Sequence, residues 1–270
     1  MKQTHWNIDG SGGEAIHGTT HESEGIPRCN LIIAHGFKGY KDYGLFPWLA
    51  ERVAEAGAKT HRFNFSHSGM LAGDGLFERP DLFGLATWNT QVHDLQAVMA
   101  YCKTPEIPTL LLGHSRGGVA SLLAVGRNSI SVEHVISLSA PSTCNPLPEE
   151  TQKILIEQGY IESPSSRTNQ ELRIERCFLD EQIADPQGHD LLTLIENIDV
   201  PVTVVHGDED KTVLISSGEA IAKVAKKAVC LPIRGGNHVF NTPNPFPIDG
   251  EPSKQLQEVH SAVLEIIAQL

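Results

Sequence analysis

The chain has 270 residues, of which 40% are hydrophobic and 20% are charged, as in a soluble globular protein of one large domain or two small ones. Its net charge is −12, which disfavours binding to nucleic acid or to an anionic membrane surface because both need a basic face. Its apolar runs are short, whereas a membrane-spanning helix needs about 20 apolar residues.

Short apolar runs alternate with longer amphipathic ones along the chain. The segments 4–9 and 14–21 alternate polar and apolar residues and predict an antiparallel strand pair. Further strands are predicted at 30–35, 58–65, 109–113, 132–140, 200–206 and 228–233. Helices are predicted at 45–57, 87–103, 117–127, 216–227 and 253–270.

This alternation predicts an α/β fold. Several of the predicted strands are continuous apolar runs, which is typical of parallel strands that helices cover on both faces. We therefore expect one domain over 1–270, with a mostly parallel central sheet, helices on both faces and an antiparallel N-terminal edge.

The segment 142–198 interrupts the alternation and is rich in proline. Within it, 149–158 and 190–197 have helical patterns, and 159–176 has two partly alternating arms typical of a hairpin. We interpret the segment as a small cap insertion that covers an edge of the sheet. The alternative is an ordinary long crossover with a surface loop.

The most informative motif is Gly113-His114-Ser115-Arg116-Gly117, a GxSxG sequence between a predicted strand and a predicted helix. This context is typical of a nucleophile elbow, a tight turn that exposes the serine hydroxyl above the sheet. Glycine is needed two residues to either side because side chains there would collide across the turn. We predict that Ser115 is a catalytic nucleophile; a glycine-rich helix start without chemistry is the alternative.

A serine hydroxyl needs a base, and the base needs a third group that orients it. In this architecture the partners follow in the order serine, acid, histidine. Asp208 and Asp210 both follow the next-to-last predicted strand, and His238 follows the last one. The predicted catalytic histidine is therefore His238, with His260 on the final helix as its rival, and the spacing leaves both aspartates open.

The tetrahedral intermediate of acyl transfer carries an oxyanion that backbone N–H groups stabilise. The predicted donors are the backbone N–H of Arg116, directly after the nucleophile, and that of Phe37, after the strand that ends in His35-Gly36. The chain has no HExxH, zinc-finger, P-loop or GxGxxG motif, so we expect neither a metal nor a cofactor. An N-terminus without an apolar core and five scattered cysteines predict a cytoplasmic protein with reduced thiols.

The segments LIIAHGF, GHSRGG, VVHGDED and GGNHVF, in this order, resemble the α/β-hydrolase superfamily over roughly residues 25–270. The run that begins HGFKGYKDYG is similar to bacterial serine esterases of the cinnamoyl-esterase and dienelactone-hydrolase-like group. This resemblance implies the α/β-hydrolase fold, Ser115 as nucleophile and the Phe37 amide as oxyanion donor. Its HGxxD pattern, counted from His206, implies Asp210 as the acid.

The chain departs from its relatives in two places. It has Asn64-Phe65-Ser66-His67-Ser68-Gly69 where many carry D-x-x-G-x-G-x-S, and Leu214 where many have proline. Dienelactone hydrolases use a cysteine nucleophile and epoxide hydrolases an aspartate, so Ser115 disfavours both of these activities.

We predict a serine hydrolase that cleaves small carboxylic esters through an acyl-enzyme on Ser115. A thioesterase, amidase or acyltransferase with the same triad is the main alternative, and a non-catalytic binding protein is another. Acids outnumber bases nine to four between Pro148 and Asp185. These acids either face water or disfavour anionic acyl groups, whereas Arg116, beside the nucleophile, would bind a carboxylate.

Overall fold

The computed structural model describes residues 1–71, 73 and 75–270. Its strands are β1 Lys2–Asp9, β2 Ala15–Glu22, β3 Asn30–Ala34, β4 Lys59–Asn64, β5 Thr109–His114, β6 His134–Leu138, β7 Tyr160–Glu162, β8 Arg173–Glu175, β9 Val202–Gly207 and β10 Ala228–Ile233. Its α-helices are α1 Leu45–Glu55, α2 Pro80–Gly84, α3 Trp88–Cys102, α4 Arg116–Gly126, α5 Glu149–Gln158, α6 Cys177–Ala184, α7 Leu191–Ile195, α8 Ile215–Val224 and α9 Lys254–Ala268. Single turns of 3₁₀ helix occur at Ser11–Gly13 and Gln187–His189.

Eight strands form one central sheet in the order β1-β2-β4-β3-β5-β6-β9-β10. The pairs from β4 to β10 are parallel, whereas β2 is antiparallel to both β1 and β4. The predicted mostly parallel sheet with an antiparallel N-terminal edge is therefore confirmed. Because the carboxyl ends of parallel strands share one edge, the loops after β3, β5, β9 and β10 meet there.

Helices cover both faces of this sheet, as predicted. One hydrophobic core contains residues of α3, α4 and α8, and a second, on the opposite face, contains residues of α1 and α9. In β5, Leu111 belongs to the first core, while Leu110 and Leu112 belong to the second. All three are fully buried, and each contributes about 1.5–3 kcal/mol of hydrophobic stabilisation.

The segment 142–198 contains α5, the hairpin β7–β8, α6 and α7. Its hairpin loop contacts the segment after β4: the Gln170 side chain bonds the backbone N and O of Phe77, each at 2.9 Å. The Arg167 guanidinium lies 4.9 Å from the ring centre of Tyr40 and 5.3 Å from that of Phe77. These contacts fix the hairpin over the loop after β3, and the role of 142–198 as a cap stays a prediction.

Within the described residues, no helix combines the length and the apolar character that crossing a membrane requires. The cytoplasmic location inferred from the sequence stays a prediction.

Candidate active site

Ser115 lies in the turn between β5 and α4, where the sequence predicts a nucleophile elbow. Its backbone is strained, with φ 53° and ψ −120°, a conformation that side-chain-bearing residues adopt rarely and mainly at functional sites. Its N–H donates to Leu138 O at 2.8 Å, and its C=O accepts from Gly118 N at 2.9 Å. The neighbouring strand and the helix together hold the turn.

Close packing of backbone explains the two glycines of the motif. A Cβ on Gly113 would lie 2.3 Å from Gly117 O, and one on Gly117 would lie 2.4 Å from both Ala34 O and His35 O. Backbone atoms at these distances cannot move aside cheaply. The glycines therefore allow the start of α4 to lie against the end of β3, which brings Ser115 next to the loop after β3.

The structure brings Ser115, His238 and Asp210 together. His238 Nε2 lies 3.1 Å from Ser115 Oγ, and His238 Nδ1 lies 2.8 Å from Asp210 Oδ2. Because a carboxylate only accepts hydrogen bonds, the proton of the neutral imidazole is on Nδ1, and Nε2 accepts from the serine hydroxyl. The His238 side chain is 19% exposed, while that of Asp210 is inaccessible to solvent. The arrangement leaves a route from solvent to the base and buries the acid.

Several donors surround the Asp210 carboxylate. Its Oδ1 accepts from Thr212 N at 2.8 Å and from Val213 N at 2.9 Å, and its Oδ2 lies 3.5 Å from His206 Nε2. Burial alone would raise the pKa of Asp210, but the hydrogen bonds from His206, His238 and the Val213 amide outweigh it and hold this pKa well below its usual value. Asp210 is therefore ionised at neutral pH.

The two rival residues lie elsewhere. Asp208 is exposed, and its Oδ1 accepts from Gly235 N at 2.6 Å, which fixes the loop after β10. His260, on α9, packs edge-on against Trp48 with ring centres 5.4 Å apart. The geometry supports Asp210 and His238 in the predicted roles.

The predicted oxyanion donors flank the nucleophile. Arg116 is the first residue of α4, and Phe37 follows Gly36, where an added Cβ would lie 3.0 Å from Ser115 Cβ. In the part of the chain that the structure describes, neither the Phe37 nor the Arg116 backbone N–H has a hydrogen-bond acceptor. Both are free to donate to a ligand oxygen.

Two features of the site were not predicted from the sequence. His114, the residue before the nucleophile, donates from Nε2 to the His238 carbonyl at 2.8 Å. In the segment that departs from the relatives, Ser66 Oγ donates to the Asp94 carboxylate at 2.8 Å and lies 2.8 Å from His67 Nδ1. Both depend on contacts between distant parts of the chain, and the sequence signal was limited to the unusual polar residues after β4.

Among the described residues, no group of three or more His, Cys, Asp or Glu side chains is arranged to hold a metal ion.

No family model and no curated protein matches the chain. Solved structures do match along its whole length. Est1E from Butyrivibrio proteoclasticus, solved with bound ferulic acid, has a TM-score of 0.74 and 22% identity over 98% of each chain. A putative hydrolase from Agrobacterium vitis S4 has a TM-score of 0.75 and 18% identity over 99% of this chain and 100% of its own.

A third match is the alpha/beta hydrolase domain-containing protein 10 from mouse, with a TM-score of 0.72 and 19% identity over 98% of this chain and 99% of its own. The chain has the α/β-hydrolase fold. In an α/β-hydrolase fold the triad follows the order serine, acid, histidine. Ser115, Asp210 and His238 follow β5, β9 and β10 in that order.

Proposed function

We propose that the protein is a serine hydrolase that cleaves small carboxylic esters through an acyl-enzyme on Ser115. The observation that carries the proposal is the hydrogen-bonded chain from Ser115 Oγ through His238 to Asp210, with spacings of 3.1 and 2.8 Å. It pairs a nucleophile with a base and an acid that orients the base.

In the proposed reaction, Ser115 Oγ attacks the acyl carbon while His238 Nε2 takes its proton. The Phe37 and Arg116 amides donate to the oxyanion, and each such donor contributes about 3 kcal/mol of transition-state stabilisation. His238 returns the proton to the leaving alcohol, and a water molecule, activated by His238 in turn, releases the acid from Ser115. Asp210 stabilises the imidazolium at both stages.

The solved neighbours support this class of substrate. Est1E shares the fold and binds ferulic acid, which is a carboxylic acid and therefore the type of product that ester cleavage releases. The proposed chemistry uses only groups of this chain and needs no cofactor.

The test combines a fluorophosphonate probe with a series of p-nitrophenyl esters of increasing acyl length. We expect a covalent adduct on the tryptic peptide that contains Ser115, together with ester turnover that the adduct abolishes. The heat-denatured protein is the control, because labelling must depend on the folded site. An intact protein that neither labels nor turns over any ester would contradict the proposal and favour a binding protein; turnover confined to thioesters or amides would favour the alternative reactions.

A further inference from the structure

The Arg116 side chain is a cation buried beside the nucleophile. It is 9% exposed, and its guanidinium lies 4.8 Å from the ring centre of Trp88 and 5.1 Å from that of Phe178. Two of its nitrogens donate to neutral oxygens: Nε to Gln91 Oε1 at 3.1 Å and Nη2 to Ala86 O at 3.0 Å. Within the described residues, Nη1 has no partner.

No carboxylate forms an ion pair with this guanidinium in the described part of the chain. The nearby acid, Glu181, is engaged by the backbone N–H groups of Trp88 at 2.6 Å and Asn89 at 3.2 Å. Burial lowers the pKa of Arg116 to about 10, so the side chain is still charged at neutral pH. A buried charge is costly unless an opposite charge pairs with it, which makes the free nitrogen a place for an anion.

Arg116 lines a small recess beside the predicted oxyanion donors. The polar side chains around this recess are His35, Lys38, His67, Ser68, Gln91 and Arg116. None of its described lining residues is an acid, although the whole chain has a net charge of −12. Its volume is about 20 Å³, little more than one bound water needs, so it takes only the terminal group of a substrate and not a longer chain.

Most acids between Pro148 and Asp185 lie away from this recess, and Glu181 is the one whose charge acts on Arg116. None of the nine acids between Pro148 and Asp185 lines the recess. Six of the nine are exposed: Glu149, Glu150, Glu157, Glu162, Glu171 and Asp185. Their field acts mainly through solvent, where salt screens it. The structure favours the interpretation in which these acids face water.

Two separate depressions border the predicted catalytic groups. His238, which protonates the leaving alcohol in the proposed reaction, borders a separate open groove lined by Lys211, Thr212 and Asn237. The recess instead adjoins Phe37 and Arg116, whose amides would hold the carbonyl oxygen. A group that fills the recess therefore belongs to the acyl part of the substrate.

We propose that Arg116 binds a carboxylate at the end of a short acyl chain, so that the preferred substrates are half-esters of short dicarboxylic acids. The inference rests on the proposed ester hydrolysis. Lys38, with Nζ 2.8 Å from Pro164 O, adds a second positive charge at the same recess.

The experiment compares ethyl hydrogen succinate with ethyl succinamate, in which a carboxamide replaces the carboxylate, by ethanol release. At low salt we expect kcat/KM to be about tenfold or more higher for the anionic ester, the effect of one charged hydrogen bond. Arg116→Met keeps the backbone donor and the apolar packing, and the ratio of the two kcat/KM values is expected to fall to about one in this variant, whatever happens to either value alone. Arg28→Met, which removes an exposed arginine before β3, is the matched control and should leave the preference unchanged.

The outcomes separate the two proposals. Turnover of the neutral ester without an anionic preference, or a preference that Arg116→Met does not change, would overturn the role of Arg116 and leave the ester hydrolase standing. If neither ester is cleaved, calorimetric titration of ethyl hydrogen succinate decides: binding that Arg116→Met removes supports the carboxylate site, and no binding to the unmutated protein overturns it.

Discussion

His114 Nε2 donates a hydrogen bond to the backbone carbonyl of His238 at 2.8 Å, with the two ring centres 4.9 Å apart. Burial lowers the pKa of His114 to about 3, so this imidazole is neutral at neutral pH, with its one proton on Nε2. His114 is the last residue of β5. The bond therefore ties the loop that carries His238 to the turn that carries Ser115.

His114→Leu should lower kcat by about tenfold to a hundredfold with little change in KM, because the imidazole of His238 would lose its fixed position relative to Ser115. His114→Gln should retain most of kcat, since its side-chain amide can donate to the same carbonyl. Steady-state kinetics on one neutral ester measures both. Equal losses in the two variants would show that the ring is needed for packing and that the hydrogen bond is not what positions His238.

Ser115→Ala should remove nearly all turnover and leave the fold intact, because the nucleophile of the proposed acyl-enzyme is lost. Only the slow reaction that the oxyanion donors and substrate binding support would remain. Ser131→Ala, at an exposed position after α4, is the control and should keep full activity. More than about a tenth of the original kcat in Ser115→Ala, with an unchanged circular dichroism spectrum, would rule out the assignment, since a triad nucleophile contributes far more than this.

Asp210→Asn should lower kcat by about four orders of magnitude, because the neutral amide favours the wrong tautomer of His238 and cannot stabilise its charged form. Asp208→Asn should retain activity, since Asp208 bonds the Gly235 amide and an asparagine oxygen can accept the same bond. Both variants carry the same chemical change at different positions, so each is a control for the other. The opposite ranking of their kcat values would identify Asp208 as the acid.

Much of the fold follows from local patterns. The strand predicted at 109–113 is β5, whose residues are all buried, and the helix predicted at 87–103 is α3, whose buried residues recur every three or four positions. Strands that are buried on both faces appear in the sequence as apolar runs. Helices with one buried face appear as a pattern in which apolar residues recur every three or four positions. Elements whose burial is continuous along the chain were therefore predictable.

Two short helices, α2 and α6, were not predicted. α2 has five residues and α6 has eight, too few for a helical period to stand out from chance. α6 follows β8 directly and has no side-chain cap at its start, so it lacks the usual sequence signal. The contact of Phe178 with Arg116 joins residues far apart in the chain.

The candidate site was predictable where a motif fixes the backbone. The glycines on either side of Ser115 pointed to the elbow, and the order of elements pointed to His238. Spacing alone left Asp208 and Asp210 open, because only packing determines which carboxylate enters the interior; Asp210 is 4% exposed and Asp208 is at the surface. The buried guanidinium of Arg116 was beyond sequence reasoning for the same reason.

Asp94 is fully buried in α3, so its ionisation should make the stability of the protein depend on pH. Burial raises the pKa of its carboxyl to about 6, although the amides of Ser11 and Ser66 donate to it. This folded-state pKa exceeds the value of about 3.9 in an unfolded chain, so the folded state binds the proton more tightly, and ionisation destabilises it as pH rises. Relative to Asp94→Asn, the unmutated protein should lose about 2 kcal/mol of unfolding free energy between about pH 4 and about pH 7.

Urea denaturation across this pH range measures the difference in unfolding free energy between the unmutated protein and Asp94→Asn. The opposing contribution of Asp210 is the same in both proteins and cancels. Any cost of the asparagine that does not depend on pH leaves the slope unchanged. Asp9→Asn, at an exposed position, should give a difference that does not change with pH. If the difference in unfolding free energy between the unmutated protein and Asp94→Asn did not change with pH, or shifted in favour of the unmutated protein as pH rises, the hydrogen bonds to Asp94 would outweigh its burial.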